Sequence, residues 1–177
     1  MLSQSELYAR AKKIRLLILD VDGVMTDGKI VLDGDGGEIK SFNVRDGHGI
    51  KMAQAAGLTV AIITGRESRV VERRAAELGI REVHQRSRDK LATYDDLKAR
   101  LGVGDGEAAY VGDDIVDIPV MLRVGLSFAV ADSEDYVKDI AHAVTRRGGG
   151  AGAVREVIDL LLKARGGWDA LTAKYFS

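Results

Sequence analysis

Two aspartates separated by one residue follow a short apolar segment, in the run Leu16-Leu-Ile-Leu-Asp20-Val-Asp22-Gly23. The apolar segment is typical of a buried strand, and carboxylates at the end of such a strand cost free energy unless a cation or a reaction needs them. Asp20 could attack phosphorus as a nucleophile and form an acyl phosphate. Asp22 could be the general acid and base that protonates the leaving alcohol and then activates water. Alternatively, both aspartates could simply cap a turn.

A second group of carboxylates, Asp113, Asp114 and Asp117, follows another apolar segment. Carboxylates that converge at one edge of a sheet repel one another, and a divalent cation offsets that repulsion. All-oxygen ligation by few protein groups favours Mg²⁺, and we predict that Asp20, the backbone carbonyl of Asp22 and Asp113 bind it. Asp114 and Asp117 would orient these ligands, or would simply occupy a helix N-terminus, where the helix dipole favours acidic side chains.

A third apolar segment ends in Thr64-Gly65-Arg66. A hydroxyl group and free backbone N–H groups just before a helix form a cradle for phosphate. Thr64 and Ser68 could instead be ordinary N-cap residues. Lys90 could supply a positive charge to the phosphoryl oxygens. These types and spacings predict a catalytic set for phosphoryl transfer that consists of Asp20, Asp22, Thr64 and Lys90.

Short apolar segments alternate with longer amphipathic ones along most of the chain. The strands predicted from this pattern are 14–20, 59–64, 82–85, 108–112, 126–131 and 141–145, and the predicted helices are 49–56, 68–77, 88–100, 115–124, 135–140 and 153–164. Such alternation predicts an α/β fold, a parallel sheet flanked by helices on both faces. Because the carboxyl ends of parallel strands meet at one edge, Asp20, Thr64 and Asp113 should lie together there.

Residues 29–42 interrupt the alternation with two strand-like arms around an Asp-Gly-rich turn, a pattern that favours a β-hairpin. Because the hairpin follows the Asp-x-Asp segment directly, we expect it to project over the predicted site. It could be a surface decoration, a flap over the site or an oligomer contact.

The composition excludes several classes of protein. Net charge is −1, from 26 basic and 27 acidic residues, which does not indicate a nucleic-acid partner, and the absence of cysteine excludes thiolate metal sites. The apolar segment before Asp20 is too short for a membrane span and does not fit a signal peptide, so we expect no membrane insertion and a cytoplasmic location. The length favours one domain over residues 1–177, with a glycine-rich tail and helix at about 146–177.

Four motifs occur in a fixed order: Asp20-x-Asp22-Gly-Val, Thr64-Gly-Arg66, Lys90 and Gly112-Asp113-Asp114-x-x-Asp117. Finer matches are Asp20-Val-Asp-Gly-Val-Met-Thr-Asp-Gly28, Phe42-Asn-Val-Arg-Asp-Gly-His-Gly-Ile50, Ala61-Ile-Ile-Thr-Gly-Arg66, Tyr110-Val-Gly-Asp-Asp114, Pro119-Val-Met121 and Gly152-Ala-Val-Arg-Glu156. The four motifs resemble those of the haloacid dehalogenase superfamily of phosphatases. The finer matches resemble its 3-deoxy-D-manno-octulosonate 8-phosphate phosphatases over nearly the whole chain.

The resemblance implies a Rossmann-like haloacid dehalogenase fold without a cap domain. It also implies a Mg²⁺-dependent phosphatase that acts on this sugar-acid phosphate in lipopolysaccharide inner-core synthesis. The family forms homotetramers in which the hairpins assemble into a central barrel and subunits cover each other's active sites. The positions that match substrate-binding residues of the family are Asp22, Asn43, Arg45, Asp46, Gly47, Gly65, Arg66, Arg74 and Lys90, and Arg66 and Arg74 could reach a neighbouring subunit's substrate.

Two positions depart from the family pattern. Arg86 stands where the family usually has glycine, and Ala151 stands between glycines where it usually has arginine. If the Ala151 segment contacts substrate, specificity could differ, and the phosphatases of nine-carbon 2-keto acid 9-phosphates share the same framework. A signalling receiver domain also uses carboxylates, Mg²⁺, threonine and lysine, but it places its phospho-acceptor on a later strand. A catalytically silent subunit is disfavoured because all the catalytic motifs are present.

Overall fold

Six parallel strands form the central sheet in the part of the chain that the computed structural model describes, residues 1–176. The sheet strands are β1 (Leu16–Leu19), β4 (Thr59–Ile63), β5 (Glu82–His84), β6 (Ala108–Gly112), β7 (Leu126–Ala129) and β8 (Ala143–Val144), while β2 (Val31–Leu32) and β3 (Glu38–Ile39) pair separately as an antiparallel hairpin. The order across the sheet is β5-β4-β1-β6-β7-β8, and all neighbouring pairs are parallel. The carboxyl ends of all six strands therefore meet at one edge.

Helices connect these strands and cover both faces of the sheet. They are α1 (Gln4–Ala11), α2 (Val44–Ala55), α3 (Arg69–Leu78), α4 (Lys90–Leu101), α5 (Ile118–Met121), α6 (Asp135–Ile140), α7 (Ala153–Ala164) and α8 (Trp168–Thr172), with 3₁₀ turns at Asp105–Glu107, Ile115–Asp117 and Ala173–Tyr175. No helix among residues 1–176 has the length and apolar character needed to cross a membrane.

The core has two halves because successive side chains of a strand point to opposite faces of the sheet. Leu17 and Leu19 of β1 belong to the half formed with α2 and α7, where Ile50 and Leu161 are fully buried. Alternate positions of the same strand belong to the other half, which α4, α5 and α6 cover. Each large aliphatic side chain buried in this way contributes roughly 1.5–3 kcal/mol, so β1 is held firmly from both sides.

The predicted parallel sheet with helices on both faces and without a cap domain is confirmed. In the described residues, the connection from β1 to α2 contains the two-stranded hairpin and no cap domain. The hairpin arms are shorter than expected, with two residues in each strand. Ser177, the last residue of the predicted tail, lies outside the described residues.

Several predicted boundaries were wrong for local reasons. Helix α2 begins at Val44 rather than at residue 49, because Asn43 caps it by accepting the N–H of Arg45 at 2.8 Å. The helix predicted at 115–124 is split, since the Asp117 carboxylate turns back to accept the N–H groups of Asp113 and Asp114 and tightens the first turn into a 3₁₀ turn. Helices α1 and α8 were not predicted.

Candidate active site

The central strand and its two neighbours bring the predicted chemistry together at the carboxyl edge. In the register of the sheet, Leu19 of β1 lies between Ile62 of β4 and Val111 of β6, so the residues that follow these strands are neighbours in space. They line a cavity of about 520 Å³. Its lining residues are Asp20, Asp22, Gly28, Thr64, Gly65, Arg66, Ser87, Arg88, Lys90, Asp113, Asp114 and Val116.

Lys90 lies at the centre of the cavity floor, the group formed by Asp20, Lys90, Asp113 and Asp117. It is the first residue of α4, its side chain is only 4% exposed, and its ammonium group lies between two carboxylates. Lys90 Nζ donates a hydrogen bond to Asp117 Oδ1 at 2.7 Å and lies 3.1 Å from Asp20 Oδ1 without hydrogen-bond alignment. The buried hydroxyl of Tyr110 also donates to Asp117 Oδ1, at 2.6 Å. Asp117 is thus held rigidly from three directions, including the backbone.

The floor carries more negative than positive charge, and the pKa values reflect this. Burial and the neighbouring Asp117 raise the pKa of Asp20 to about 7, against the opposing effect of Lys90. Burial and the charges of Asp20 and Asp117 raise the pKa of Asp113 to about 8. Burial alone would lower the pKa of Lys90, but the attraction of Asp20 and Asp117 outweighs it and raises that pKa. The site therefore favours uptake of additional positive charge.

The floor residues fit a hard divalent cation. Carboxylate oxygens of Asp20, Asp113 and Asp117 lie within 4.8 Å of one another. Asp20 Oδ1 and Asp113 Oδ1 are buried without a hydrogen-bond partner, whereas both oxygens of Asp117 already accept hydrogen bonds. Free carboxylate oxygens are the ligands that Mg²⁺ prefers. Asp20 and Asp113 thus fit as direct ligands, and Asp117 fits as the residue that orients Lys90 and the Asp113 backbone.

Gly23 makes room for this carboxylate arrangement. Its φ is +91°, in the left-handed region, and a Cβ there would collide with the carboxylate of Asp113. Only glycine accommodates both the conformation and the close approach. This explains why the two aspartates of the first motif are followed by glycine.

The segment after β4 differs in detail from a helix N-terminal cradle. Ser68, not Thr64, is the N-cap of α3, and its Oγ accepts the N–H of Val71 at 3.4 Å. The N–H of Ser68 is already bound by Gln85 Oε1 at 2.7 Å. Thr64 and Gly65 instead lie ahead of the helix, with a bend at Gly65 and Arg66, and line the cavity. The N–H groups of Ser68 and Val71 are thus occupied, while Thr64 and Gly65 border the site.

Asp22 lies at the rim, in contact with the hairpin. Lys40, which follows β3, donates a hydrogen bond from Nζ to Asp22 Oδ1. Arg66 Nε lies 3.6 Å from Asp22 Oδ2, and Arg66 Nη2 donates to Glu38 Oε1 at 3.0 Å. The hairpin therefore extends to the site through Glu38 and Lys40.

Five residues predicted to bind substrate lie outside the cavity of their own chain. They are Asn43, Arg45, Asp46, Gly47 and Arg74. The side chain of Asn43 donates to the carbonyl of Gly150 at 3.2 Å, and Asp46 Oδ1 accepts the N–H of Arg155 at 2.7 Å. These contacts join the start of α2 to the start of α7, and the predicted substrate contacts of all five residues stay predictions.

Asp114 lies at the edge of the cavity rather than on its floor. Its Oδ1 accepts the N–H of Ile115 at 2.7 Å and the hydroxyl of Tyr136 at 3.1 Å. Asp114 is therefore the N-cap of a short turn, as the helix-terminus interpretation expects. Its predicted role in orienting metal ligands stays a prediction.

Sequence reasoning missed several residues of the site. Tyr110, Glu38 and Lys40 were not singled out, nor were Ser87, Arg88 and Val116 of the cavity lining. A tyrosine in the middle of an apolar strand is a usable signal, because a buried hydroxyl needs a partner. Glu38 and Lys40 carry no such signal, since a charged hairpin arm is usually exposed to solvent.

The two departures from the family pattern lie in different surroundings. Arg86 has a left-handed backbone, with φ at +55°, which explains why glycine suits that position, and its guanidinium donates to Glu67. Ala151 is exposed in the turn before α7. Next to it, Gly149 and Gly150 pack so closely on the backbone of Gly23 and Thr26 that neither has space for a side chain.

Comparison with known proteins identifies the family. A model of haloacid dehalogenase-like hydrolases matches residues 77–158. The 3-deoxy-D-manno-octulosonate 8-phosphate phosphatase KdsC of Escherichia coli K12 is 52% identical over 165 residues, which cover 93% of this chain and 88% of the relative. This chain belongs to the 3-deoxy-D-manno-octulosonate 8-phosphate phosphatases. The family resemblance predicted from the motifs is confirmed.

Solved structures of this family superimpose closely on the chain. The Yersinia pestis 3-deoxy-D-manno-octulosonate 8-phosphate phosphatase has a TM-score of 0.90 at 51% identity, covering 92% of this chain and 88% of that one. The Moraxella catarrhalis phosphatase, crystallised with a magnesium ion, a phosphate ion and KDO, has a TM-score of 0.96 at 39% identity, covering 98% and 99%. The chain is thus a phosphoric monoester hydrolase of the haloacid dehalogenase fold.

Proposed function

We propose that this chain hydrolyses 3-deoxy-D-manno-octulosonate 8-phosphate to the free sugar acid and inorganic phosphate, with Mg²⁺ as cofactor. The observation that carries the proposal is the cavity floor, where buried Asp20 contacts Lys90 and faces Asp113, whose Oδ1 has no partner. Family membership supplies the substrate class. The product is the sugar acid of lipopolysaccharide, so we place the reaction in lipopolysaccharide synthesis and, as a proposal, in the cytoplasm.

Hydrolysis through an acyl phosphate needs two carboxylates with different roles. An oxygen of Asp20 attacks phosphorus as the bond from phosphorus to the sugar oxygen breaks, which gives an acyl phosphate. Asp22 donates a proton to the departing sugar oxygen. Water then attacks the acyl phosphate, Asp22 takes the proton of that water, and the Asp20 carboxylate leaves as inorganic phosphate is released.

The remaining floor residues position these groups and balance charge. Lys90 faces the phosphoryl oxygens and holds Asp20 in place, and the Thr64 hydroxyl and the Gly65 N–H offer hydrogen bonds to the same oxygens. Mg²⁺ held by Asp20, Asp113 and the carbonyl of Asp22 would neutralise negative charge on the phosphoryl group.

We further propose that the single domain assembles as a homotetramer through its hairpin. Ile30, Val31, Leu32 and Ile39 are all exposed in the isolated chain, and Val31 pairs with Ile39 across the hairpin, so apolar side chains are available for an interface. In such an assembly Arg45 and Arg74 could contact substrate from a neighbouring subunit, with Arg66 contributing a cation at the cavity rim. Arg–carboxylate pairing suits a substrate that carries both a phosphate and a sugar carboxylate.

The test is phosphate release with Mg²⁺ from octulosonate 8-phosphate, nine-carbon 2-keto acid 9-phosphates, simple sugar phosphates and p-nitrophenyl phosphate. We expect strong preference for the octulosonate and no release by Asp20→Asn, whose fold should be intact. Preference for a nine-carbon acid would assign the chain to the related pathway and make Ala151 the residue to restore to arginine. Full activity of Asp20→Asn would contradict the covalent mechanism.

A further inference from the structure

Four charged side chains at the rim of the cavity form a closed ring in which the signs alternate. Lys40 Nζ donates to Asp22 Oδ1, and Asp22 Oδ2 lies 3.6 Å from Arg66 Nε. Arg66 Nη2 lies 3.0 Å from Glu38 Oε1, and that same oxygen lies 3.2 Å from Lys40 Nζ. We call this set, Asp22, Glu38, Lys40 and Arg66, the rim ring. Two positive and two negative charges leave the ring neutral.

Lys40 is the most deeply buried member of the rim ring. Its side chain is only 1% exposed, compared with 21% for Asp22 and 47% for Arg66. A lysine ammonium is costly to bury unless carboxylates pair with it, and here two carboxylates do. The arrangement therefore fixes the position of Lys40 and of its partners together.

The rim ring is also connected to helix α3. Glu38 Oε2 accepts a hydrogen bond from the hydroxyl of Ser68, which is the N-cap of α3. Glu38 is thereby held on the side of the ring opposite Asp22. A single hairpin arm, residues 38–40, thus connects the general acid and base to a helix terminus.

Lys40 cannot meet substrate directly in its own chain, since it does not line the cavity, whereas Asp22 and Arg66 do. Its contact with the site passes through the carboxylate of Asp22. That carboxylate must lie at the sugar oxygen in the first half of the reaction and at water in the second. A carboxylate that accepts a hydrogen bond through one oxygen is already partly oriented, so it loses less conformational freedom on reaching the transition state.

We propose that Lys40 is a positioning residue that holds the Asp22 carboxylate for proton transfer, and that Glu38 orients Lys40 and Arg66 for this purpose. The inference deepens the proposed function and rests on it. The hairpin thereby takes part in catalysis within one chain, apart from any part in assembly.

The first experiment compares steady-state hydrolysis of octulosonate 8-phosphate by the wild type and by Lys40→Met. General acid and base groups contribute about 10²–10⁴-fold to rate, so loss of orientation should lower kcat by about tenfold or more with a smaller change in KM. The matched control is Lys29→Met, which removes an exposed hairpin lysine paired with Asp27 and should leave kcat unchanged. Wild-type kcat in Lys40→Met would overturn the proposal.

The second experiment is a double-mutant cycle with Asp22→Asn, measured on p-nitrophenyl phosphate, whose good leaving group keeps the Asp22 variant measurable. If Lys40 acts through Asp22, adding Lys40→Met to Asp22→Asn should lower the rate by less than about twofold. An equal fold-loss in both backgrounds would show that Lys40 supports the fold in general and would overturn the proposal.

A third variant keeps the test decisive if Lys40→Met fails to fold. Lys40→Arg retains the charge and should recover most of the wild-type kcat, while a folded Lys40→Arg as slow as Asp22→Asn would overturn the proposal. Wild-type turnover is measured in the same assays. No phosphate release by the wild type would contradict the proposed function itself, whereas normal wild-type turnover with an unaffected Lys40→Met contradicts only the role of Lys40.

Discussion

The floor and the rim of the cavity use the same arrangement, a buried lysine between two carboxylates, with different consequences. On the floor, Lys90 lies between Asp20 and Asp117, and the nearby Asp113 gives three carboxylates to one ammonium. At the rim, Lys40 lies between Asp22 and Glu38, and Arg66 is a second cation, so that two positive charges balance two negative ones. The floor therefore requires further positive charge, whereas the rim is already neutral.

Because of this difference, the floor fits a metal site and the rim fits a structural network of ion pairs. Asp20 Oδ1 and Asp113 Oδ1 of the floor have no hydrogen-bond partner, which suits a metal ion. The side-chain oxygens of the rim that take part in the ring are all engaged by cations or by Ser68. Identical residue types thus have different roles because the local charge balance differs.

The largest effect should come from Lys90→Met, which removes the ammonium group that lies between Asp20 and Asp117. Breaking a buried ion pair by removing one partner costs about 3–5 kcal/mol, because the remaining charges are left uncompensated. Urea unfolding should show this loss without Mg²⁺, and phosphate release should fall to background. The exposed control Lys29→Met should change stability by less than about 1 kcal/mol. Equal stability of both variants would contradict the charge balance described for the floor.

Shortening the hairpin should affect the rim and leave the floor intact. Deletion of residues 33–37 removes the turn that joins β2 to β3, and with it the support of the exposed apolar arms. We expect the mass of the assembly measured by light scattering to fall, while Mg²⁺ still raises the thermal stability of the shortened protein. An unchanged mass would rule out the role of the hairpin in assembly.

Stability of the metal-free protein should fall as pH rises. The pKa values of Asp20 and Asp113 are raised from 3.8 to about 7 and about 8, so the folded protein binds more protons than the unfolded chain between these limits. The free energy of unfolding therefore decreases as pH rises through that window, and the contribution is lost above it. Thermal denaturation in a chelator should show a midpoint several degrees lower at about pH 8 than at about pH 5.

Mg²⁺ should reverse this pH dependence, because an ion that binds the folded state stabilises it and favours the ionised carboxylates. Asp113→Asn should flatten the dependence in chelator, since it removes one of the two groups. A midpoint that rises with pH in the metal-free wild type would contradict the pKa assignments.

The smallest effect should come from Arg86→Gly, next to the floor but outside it. A left-handed backbone costs about 1–2 kcal/mol in a residue with a side chain, and glycine removes that cost while adding about 0.5–1 kcal/mol of chain entropy. The free energy of unfolding should therefore rise by less than about 1 kcal/mol. This would be seen as a slightly higher midpoint of thermal unfolding with unchanged kcat. A lower midpoint would mean that the pair with Glu67 outweighs the backbone strain.

The floor was largely predictable from the sequence, and the rim was not. Asp20, Thr64 and Asp113 each follow an apolar strand, and the topology of a parallel sheet brings such positions to one edge. Glu38 and Lys40 come from short strands with exposed neighbours, and no periodicity distinguishes them from surface charges. The start of α2 was also missed, because glycines 47 and 49 disfavour a helix locally but allow close contact with α3 and α7.

The sequence by itself determined the reaction class, the α/β fold and the catalytic carboxylates, because strand periodicity and motif order are local properties of the chain. Only the tertiary structure decided which charges balance one another. The contact of Lys40 with Asp22 spans 18 positions and that of Lys90 with Asp117 spans 27. Electrostatic energy depends on distance and burial in space rather than on separation along the chain, so the cation site and the rim ring emerge only on folding.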